Sequence, residues 1–197
     1  MRTAAYTLLI AGIMAIYVGV FVALLHPHVS EAYMAYYIER TSTDWKDRFL
    51  HYPASPEQGV IFSKAGFPSW VDHTYGLSYR EDWGRWTDAN LGHAAGLVLA
   101  REFNGPTCLH VTSRPAPSLV NKAVAIRFGK QTEPLRFTSR DFAQYHVDFS
   151  SPEKADRVEF LLPDVDPASR ADSRRLGMGL VSLSISGGTC ASQSILH

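Results

Sequence analysis

Residues 76 to 88 read GLSYREDWGRWTD, a stretch that gathers two tryptophans, three carboxylates and Arg85 around Gly84. No alternation of apolar and polar side chains accounts for this composition. We interpret the stretch as a loop that Arg85 holds closed through a bidentate contact with a carboxylate, because the planar guanidinium matches that geometry. The rest of the chain is then scaffold or anchor around this loop.

Two interpretations of this cluster stay open. In the functional one, Trp83 or Trp86 stacks on a sugar ring, and neighbouring charged groups bind its hydroxyls. In the structural one, these side chains fill the edge of a β-sandwich, and Arg85 pairs with Asp88 or Asp172. The second is favoured because clustered Trp and Arg in a β domain mostly pack. The candidate residues are Glu81, Trp83, Arg85, Trp86, Asp88, Asp172 and Arg174.

Short β-branched or aromatic runs surround the cluster and are separated by Gly, Pro, Asn and Asp. In KAVAIRF, residues 122 to 128, alternate side chains face opposite sides of a strand. The pattern predicts an all-β fold, a jelly-roll-like antiparallel β-sandwich. The predicted strands are residues 59–63, 77–79, 96–103, 107–113, 122–128, 135–138, 144–149, 157–162 and 179–186.

Residues 4 to 25, AAYTLLIAGIMAIYVGVFVALL, carry no charge. A helix of this length crosses a hydrocarbon core of about 30 Å, which predicts one transmembrane helix. A cleaved signal peptide would have a shorter apolar region and a clear cleavage site. With Arg2 ahead of the span, we predict a single-pass protein of the bacterial inner membrane, its amino terminus inside and its C-terminal domain periplasmic.

Small side chains recur at every fourth position of this predicted helix, at Ala11, Ala15, Gly19 and Ala23. Such a stripe lets a second helix backbone approach closely. It predicts a docking face for a membrane-embedded protein partner. The alternative stays open, since Ala and Gly are frequent in any membrane span.

Residues 29 to 58 mix aromatic and charged side chains, as expected of short helices at the lipid headgroup level. We call the aromatic residues of this segment the aromatic collar and predict that they contact lipid or a membrane partner. Pro53 and Pro56 then form a linker. The predicted division is a transmembrane anchor (1–28), interfacial helices and linker (29–58), an extracytoplasmic β-sandwich (59–187) and a C-terminal tail (188–197).

Cysteine content and charge set further bounds. Cys108 and Cys190 are the two cysteines of the chain and are too far apart for a CxxC motif. They form either a disulfide or two buried thiols, and an extracytoplasmic domain favours the disulfide. The 19 basic and 19 acidic side chains cancel, so no overall field favours nucleic acid as a partner.

Three runs between residues 60 and 185 carry a resemblance: VIFSKAGFPSWVDHTYGLSYREDWGRWTDA, REFNGPTCLHV and ADSRRLGMGLVSLSI. They resemble the accessory C-terminal domain of bacterial phosphoglycerol transferases that modify periplasmic glucans, a domain also found on membrane proteins associated with surface glycans. The catalytic sulfatase-like domain of those transferases has no counterpart in this sequence. The resemblance therefore does not carry their activity over.

The sequence shows no GxSxG elbow, glycine-rich phosphate loop or HExxH motif, and its eight histidines are scattered. Metal-assisted phosphoryl transfer needs a nucleophile and clustered ligands. We therefore predict a protein that is not an enzyme and has no cofactor or metal. The first hypothesis is a structural subunit whose helix docks into a larger membrane complex while its β-sandwich caps it. The alternative is a glycan-binding accessory protein in envelope polysaccharide synthesis or modification.

Overall fold

The computed structural model describes residues 2–25, 33–34, 38, 47, 50–165 and 174–190. Most of the predicted interfacial segment, most of the predicted tail and the candidate residue Asp172 lie outside the described residues. The chain divides into two compact units, Met1–Ser30 and Glu31–His197.

The first unit contains helix α1, Arg2–Leu25, where the sequence predicted a helix. Among the described residues, no helix combines the length and the apolar character that crossing a membrane requires. The predicted membrane span is therefore not confirmed. All four small residues of the predicted docking face are exposed, and a Cβ at Gly19 would have no atom within 4 Å. Their role in docking stays a prediction.

The second unit is built from short antiparallel strands. It also contains a 3-10 turn at Pro117–Leu119. The described strands are β1 His51–Tyr52, β2 Val60–Ile61, β3 Phe67–Pro68, β4 Val71–Tyr75, β5 Leu77–Glu81, β6 Gly84–Asp88, β7 Ala94–Phe103, β8 Thr107–Pro115, β9 Ala123–Phe128, β10 Gln131–Arg136, β11 Ala143–Phe149, β12 Ala155–Leu161 and β13 Leu176–Gly187. Each predicted strand overlaps one of these, whereas β1, β3, β4 and β6 had not been predicted.

These strands form two main sheets. The first sheet has the order β10-β9-β12-β7-β4, and the second has the order β11-β8-β13-β6-β5, with β2 also paired to β13. Neighbouring strands within both sheets are antiparallel. A separate parallel pair joins β1 to β3. The predicted antiparallel β-sandwich is thus confirmed, and the finer assignment as a jelly roll stays a prediction.

The core lies between the two sheets and is filled by apolar side chains from both. Strand β9 shows the predicted alternation, because Val124, Ile126 and Phe128 are fully buried while the residues between them are not. Burial of one such side chain stabilises the fold by about 1.5–3 kcal/mol relative to its exposure. On β9 the side chains between these apolar residues, including Arg127, therefore face outward.

The segment predicted as a loop is a β-hairpin made of β5 and β6, so that part of the prediction is wrong. Leu77 lies opposite Thr87, and β6 pairs on its other side with β13. Every residue of β6 is buried, and a strand buried on both faces shows no alternation in its sequence. Strand β6 begins at Gly84. This position is a glycine because a Cβ there would clash with the carbonyl oxygen of Leu180 on β13.

Candidate functional site

Arg85 lies in the protein interior with a side chain that is 0% exposed. Its Nη2 donates a hydrogen bond to Asp47 Oδ2, and its Nε donates to the carbonyl oxygen of Phe62 at 3.3 Å. The side chain of Asp47 is 8% exposed. Among the described residues, the carboxylate that pairs with Arg85 is therefore Asp47, which precedes the predicted start of the domain, and not a carboxylate of its own hairpin.

Asp88, a predicted partner of Arg85, forms hydrogen bonds with the backbone instead. Its Oδ1 accepts hydrogen bonds from the backbone N–H of Asn90 at 3.0 Å and from that of Arg175 at 3.3 Å. The prediction of an Arg85–Asp88 pair is wrong because positions 85 and 88 differ by an odd number, and such positions point to opposite faces of a strand. Asp88 therefore fixes the turn after β6 and the approach to β13.

Arg114 of β8 lies among three aromatic rings. Its Cζ is 4.6 Å from the ring centroid of Trp83, 5.0 Å from that of Trp86 and 4.6 Å from that of Phe142. The two tryptophan rings meet nearly at right angles with centroids 5.3 Å apart, and Trp83 is also 5.3 Å from Phe142. We call these four residues the aromatic–arginine cluster. Trp86 is 9% exposed and Phe142 is 45% exposed, so the cluster reaches from the interior to the surface.

Strand β13 sets the shape of this cluster through Gly179. Gly179 lies opposite Trp86 on one side and Arg114 on the other. A Cβ at Gly179 would lie 2.6 Å from a ring carbon of Trp83, so the glycine lets the indole ring rest against the strand. Each cation–π contact of this kind is worth about 0.5–2 kcal/mol.

Glu81 connects the cluster to Arg174. The indole Nε1–H of Trp83 donates to Glu81 Oε2 at 2.8 Å, and Arg174 Nη1 lies 3.5 Å from Glu81 Oε1. The Cζ of Arg174 is 4.4 Å from the ring centroid of Tyr79, which is itself 45% exposed. Glu81, Trp83 and Arg174 are all partly exposed.

The structure therefore divides the predicted candidates into two groups. Glu81, Trp83 and Arg174 reach the surface, whereas Arg85, Trp86 and Asp88 are buried. Sequence reasoning missed Arg114 and Phe142. No local pattern marks these two residues, because strand register brings them to the hairpin from β8 and from the residue just before β11.

The cluster lies at one end of the outer face of the second sheet, which is the face that points away from the core. On β8, Thr112 and His110 follow Arg114 on this face. At the other end of this face, Cys108 forms a disulfide with Cys190 across a sequence separation of 82. The polar residues that cross-strand pairing brings beside Thr112, His110 and Cys108 are Gln144, His146, Asp148, Ser182, Ser184 and Ser186.

The outer face of the first sheet carries a different polar group, centred on Glu159. The Tyr75 hydroxyl donates to Glu159 Oε1 at 2.7 Å, and Arg127 Nε donates to Glu159 Oε2 at 2.6 Å. Burial on its own raises the pKa of Glu159, but the hydrogen bonds from Arg127 and Tyr75 outweigh it and lower that pKa. Burial and the hydrogen bond to Glu159 raise the pKa of Tyr75. Both oxygens of the carboxylate are occupied within the protein, so this group is structural.

A family model described as a domain of unknown function, DUF7024, matches residues 45–187. The chain belongs to this family. The match includes Asp47, Arg85 and the whole aromatic–arginine cluster, so the DUF7024 domain contains both the buried ion pair and the candidate surface. Of the two disulfide-bonded cysteines, Cys108 lies within the match and Cys190 lies three residues after its end.

Relatives of this DUF7024 domain include larger proteins. The chain is 28% identical over 150 residues to phosphoglycerol transferase I of Citrobacter koseri and 25% identical over 148 residues to that of Escherichia fergusonii. In both cases the alignment covers 71% of this chain but 18% of the relative. The resemblance predicted from the sequence is therefore confirmed, and the chain matches a small part of those proteins' length.

Solved structures similar to the DUF7024 domain include carbohydrate-binding modules. A mutant of the family 29 module CBM29-2 has a TM-score of 0.43 at 16% identity and covers 66% of this chain and 91% of its own. The module BiXyn10A CBM1 has a TM-score of 0.43 at 14% identity and covers 67% of this chain and 98% of its own.

Proposed function

We propose that the β-sandwich is a non-catalytic glycan-binding domain of the bacterial envelope. The observation that carries this proposal is the half-exposed aromatic–arginine cluster, in which Phe142 and Trp83 present aromatic surface beside the cation Arg114. Aromatic rings offer flat apolar surface to the faces of sugars, and adjacent polar groups fix their orientation. The proposed contact residues are Trp83, Phe142, Arg114, Glu81, Tyr79 and Arg174.

Contacts within the protein itself hold the side chains of the cluster in place. Trp83 rests against Gly179, and its indole N–H is bound to Glu81. Arg114 Nε is buried and has no hydrogen-bond partner among the described residues. Of these residues, the three aromatic rings are therefore the ones that hold the Arg114 side chain in place. A preformed surface loses little side-chain entropy when it binds, which favours recognition of flexible ligands such as oligosaccharides.

The relatives supply the class of ligand. They are phosphoglycerol transferases, and the resemblance drawn from the sequence concerns an accessory domain of enzymes that modify periplasmic glucans. We carry over the envelope context and the accessory role, including a periplasmic location for the domain. We do not carry over the transferase activity, since the chain matches 18% of those proteins.

Binding of glucose oligosaccharides to the full chain tests this proposal. Calorimetry with a neutral and a phosphoglycerol-substituted oligosaccharide should show binding of at least one. Phe142→Ala should then weaken that binding at least tenfold, because it removes the most exposed ring of the cluster. Arg114→Gln should weaken it severalfold. Melting temperatures measured beforehand separate a lost contact from a lost fold.

The matched control is Arg101→Gln. Arg101 also lies over an aromatic ring, with Cζ 5.3 Å from the centroid of Phe103, but it belongs to β7 of the first sheet. Its replacement should leave binding unchanged. The proposal fails if neither oligosaccharide binds, or if Phe142→Ala binds as tightly as the parent.

The docking-subunit hypothesis stays a prediction, and one observation favours it. Large apolar side chains along α1 are exposed, including Leu9, Ile16 and Leu24 at 61%, 67% and 72%. Exposed apolar surface of this kind needs cover from a partner or from lipid. Replacing Ala15 and Gly19 together by leucine should reduce copurification of a membrane partner in mild detergent without unfolding the β-sandwich. Unchanged copurification would contradict the docking face.

A further inference from the structure

His110 and His146 face one another across β8 and β11, at the opposite end of the outer face from the aromatic–arginine cluster. They occupy directly opposite positions in the strand register. Their Nδ1 atoms lie 2.7 Å apart, and their rings meet edge to face with centroids 4.8 Å apart. Two imidazole nitrogens at this distance share one proton, so one ring donates it and the other contributes a lone pair.

Ser186 favours the tautomer in which His110 contributes the lone pair. Its hydroxyl donates to the carbonyl oxygen of Cys108 at 3.3 Å, which leaves the oxygen's lone pairs to accept. His110 Nε2 lies 3.0 Å from that oxygen and donates a hydrogen bond to it in the tautomer that carries the proton on Nε2. In its neutral form His110 then presents the Nδ1 lone pair toward His146. Histidines that bind metals are commonly oriented in this way, through a hydrogen bond from the other ring nitrogen.

We propose that His110 and His146 together bind one divalent transition-metal cation through their facing Nδ1 atoms. When the ion binds, neutral His146 changes tautomer: its Nδ1 proton passes to solvent, and its exposed Nε2 takes one up. Zinc–nitrogen bonds of about 2.0–2.1 Å at a tetrahedral angle place two ligand atoms about 3.3 Å apart. The two nitrogens therefore need to separate by about 0.6 Å, a change that small ring rotations supply.

The remaining ligands follow from the surroundings of the pair. The Cys108 sulfur and the two histidine nitrogens all lie within 4.8 Å of one another. Because this sulfur is bonded to Cys190, it is not a thiolate and does not act as a strong ligand. The disulfide form of the protein thus offers two imidazoles, with water in the other positions. Imidazole ligands favour Zn²⁺, Cu²⁺ and Ni²⁺ over Mg²⁺ and Ca²⁺.

Titration of the full, unreduced chain with ZnCl₂ and NiCl₂ tests this proposal. We expect His110→Asn and His146→Asn each to lower the affinity at least tenfold, because each leaves a single ligand. Ser186→Ala should lower it severalfold, since His110 loses the group that orients its ring. Zn²⁺ should also raise the melting temperature of the parent by linking β8 to β11, and that rise should disappear in His146→Asn.

The matched control is His73→Asn. His73 is also exposed and has its Nδ1 2.7 Å from Asp72, but it belongs to β4 of the first sheet. Every other histidine stays in place in all variants, so differences in affinity report on the replaced residue. Parent-like affinity in His146→Asn, an equal loss in His73→Asn, or equal binding of Mg²⁺ would overturn the proposal.

Discussion

The ion pairs Arg85–Asp47 and Arg127–Glu159 differ in burial, because the first buries both of its partners and the second buries only its carboxylate. In the second sheet the Arg85 side chain is 0% exposed and Asp47 is 8% exposed. In the first sheet the Glu159 side chain is 10% exposed while Arg127 is 42% exposed. One pair is therefore enclosed on both sides, and the other has one partner in contact with water.

This difference shows that a short distance between two charges does not by itself indicate how much the ion pair contributes to stability. An exposed arginine can exchange its carboxylate for water at little cost. A buried one cannot, because its removal leaves an unpaired charge in the interior. Asp47 also joins the start of the matched region to the hairpin of β5 and β6, whereas Arg127 and Glu159 lie on strands that already pair with each other.

The largest effect is expected for Arg85→Ala, which should lower the free energy of unfolding by about 3–5 kcal/mol because Asp47 is left buried without its main partner. Urea unfolding at pH 7 measures this loss. Arg80→Ala is the matched control, since Arg80 Nε lies 3.4 Å from the same Asp47 oxygen but its side chain is 41% exposed. The control should lose less than about 1 kcal/mol. Equal stability of the parent and Arg85→Ala would remove the basis of the comparison.

Removal of the disulfide is expected to have an intermediate effect on stability. The disulfide joins Cys108 on β8 of the second sheet to Cys190, which follows β13. Replacing Cys108 and Cys190 together by serine should lower the free energy of unfolding by about 2–4 kcal/mol, because the unfolded chain loses a covalent constraint. Unfolding of the parent with and without dithiothreitol should show a similar difference. Mass spectrometry of unreduced protein that finds two free thiols would contradict this expectation.

A smaller effect is expected for Arg127→Ala, which should cost less than about 1 kcal/mol since solvent replaces the lost contact and Tyr75 still binds the carboxylate. The measurement is urea unfolding under the conditions used for Arg85→Ala. A loss as large as that of Arg85→Ala would mean that the two pairs are equivalent despite their different exposure.

The smallest expected effect is the change in stability with pH that Glu159 causes. The pKa of Glu159 is lowered in the folded protein from an ordinary value of 4.5, so its ionised form stabilises the fold. That contribution is complete above about pH 4.5 and is lost as the pH falls through the lower, folded-state pKa. The stability difference between the parent and Glu159→Gln should therefore stay constant from pH 7 to about 5 and shrink below it. A difference that does not change down to pH 3 would contradict this assignment.

Part of this architecture could be predicted from local pattern alone. The alternation in residues 122 to 128 gives β9 its correct faces, because one side of that strand is buried and the other is not. Strand β6 could not be found in this way. It lies between β5 and β13 with both faces covered, and it includes the buried polar residues Arg85, Thr87 and Asp88.

Other features could not be predicted because they depend on contacts between residues that are far apart in the sequence. The sequence predicts that Arg85 pairs with a carboxylate, but the partner Asp47 is 38 residues away, and nothing in the sequence near Arg85 indicates that residue. Likewise Arg114 meets Trp83 only because β8 and β6 both pair with β13. Register between strands decides such contacts, and a single sequence contains no direct signal of register.

Strand β13 has one further consequence, for the order in which the chain folds during synthesis. It lies between β8 and β6 and also pairs with β2, where Leu183 lies opposite Val60. Translation at about 5–20 residues per second makes Leu183 roughly 6–25 s after Val60. From its own synthesis until that of β13, each of β2, β6 and β8 has an unpaired edge that can associate with other chains. The second sheet therefore closes late, and its earlier strands need protection from aggregation until β13 has been made.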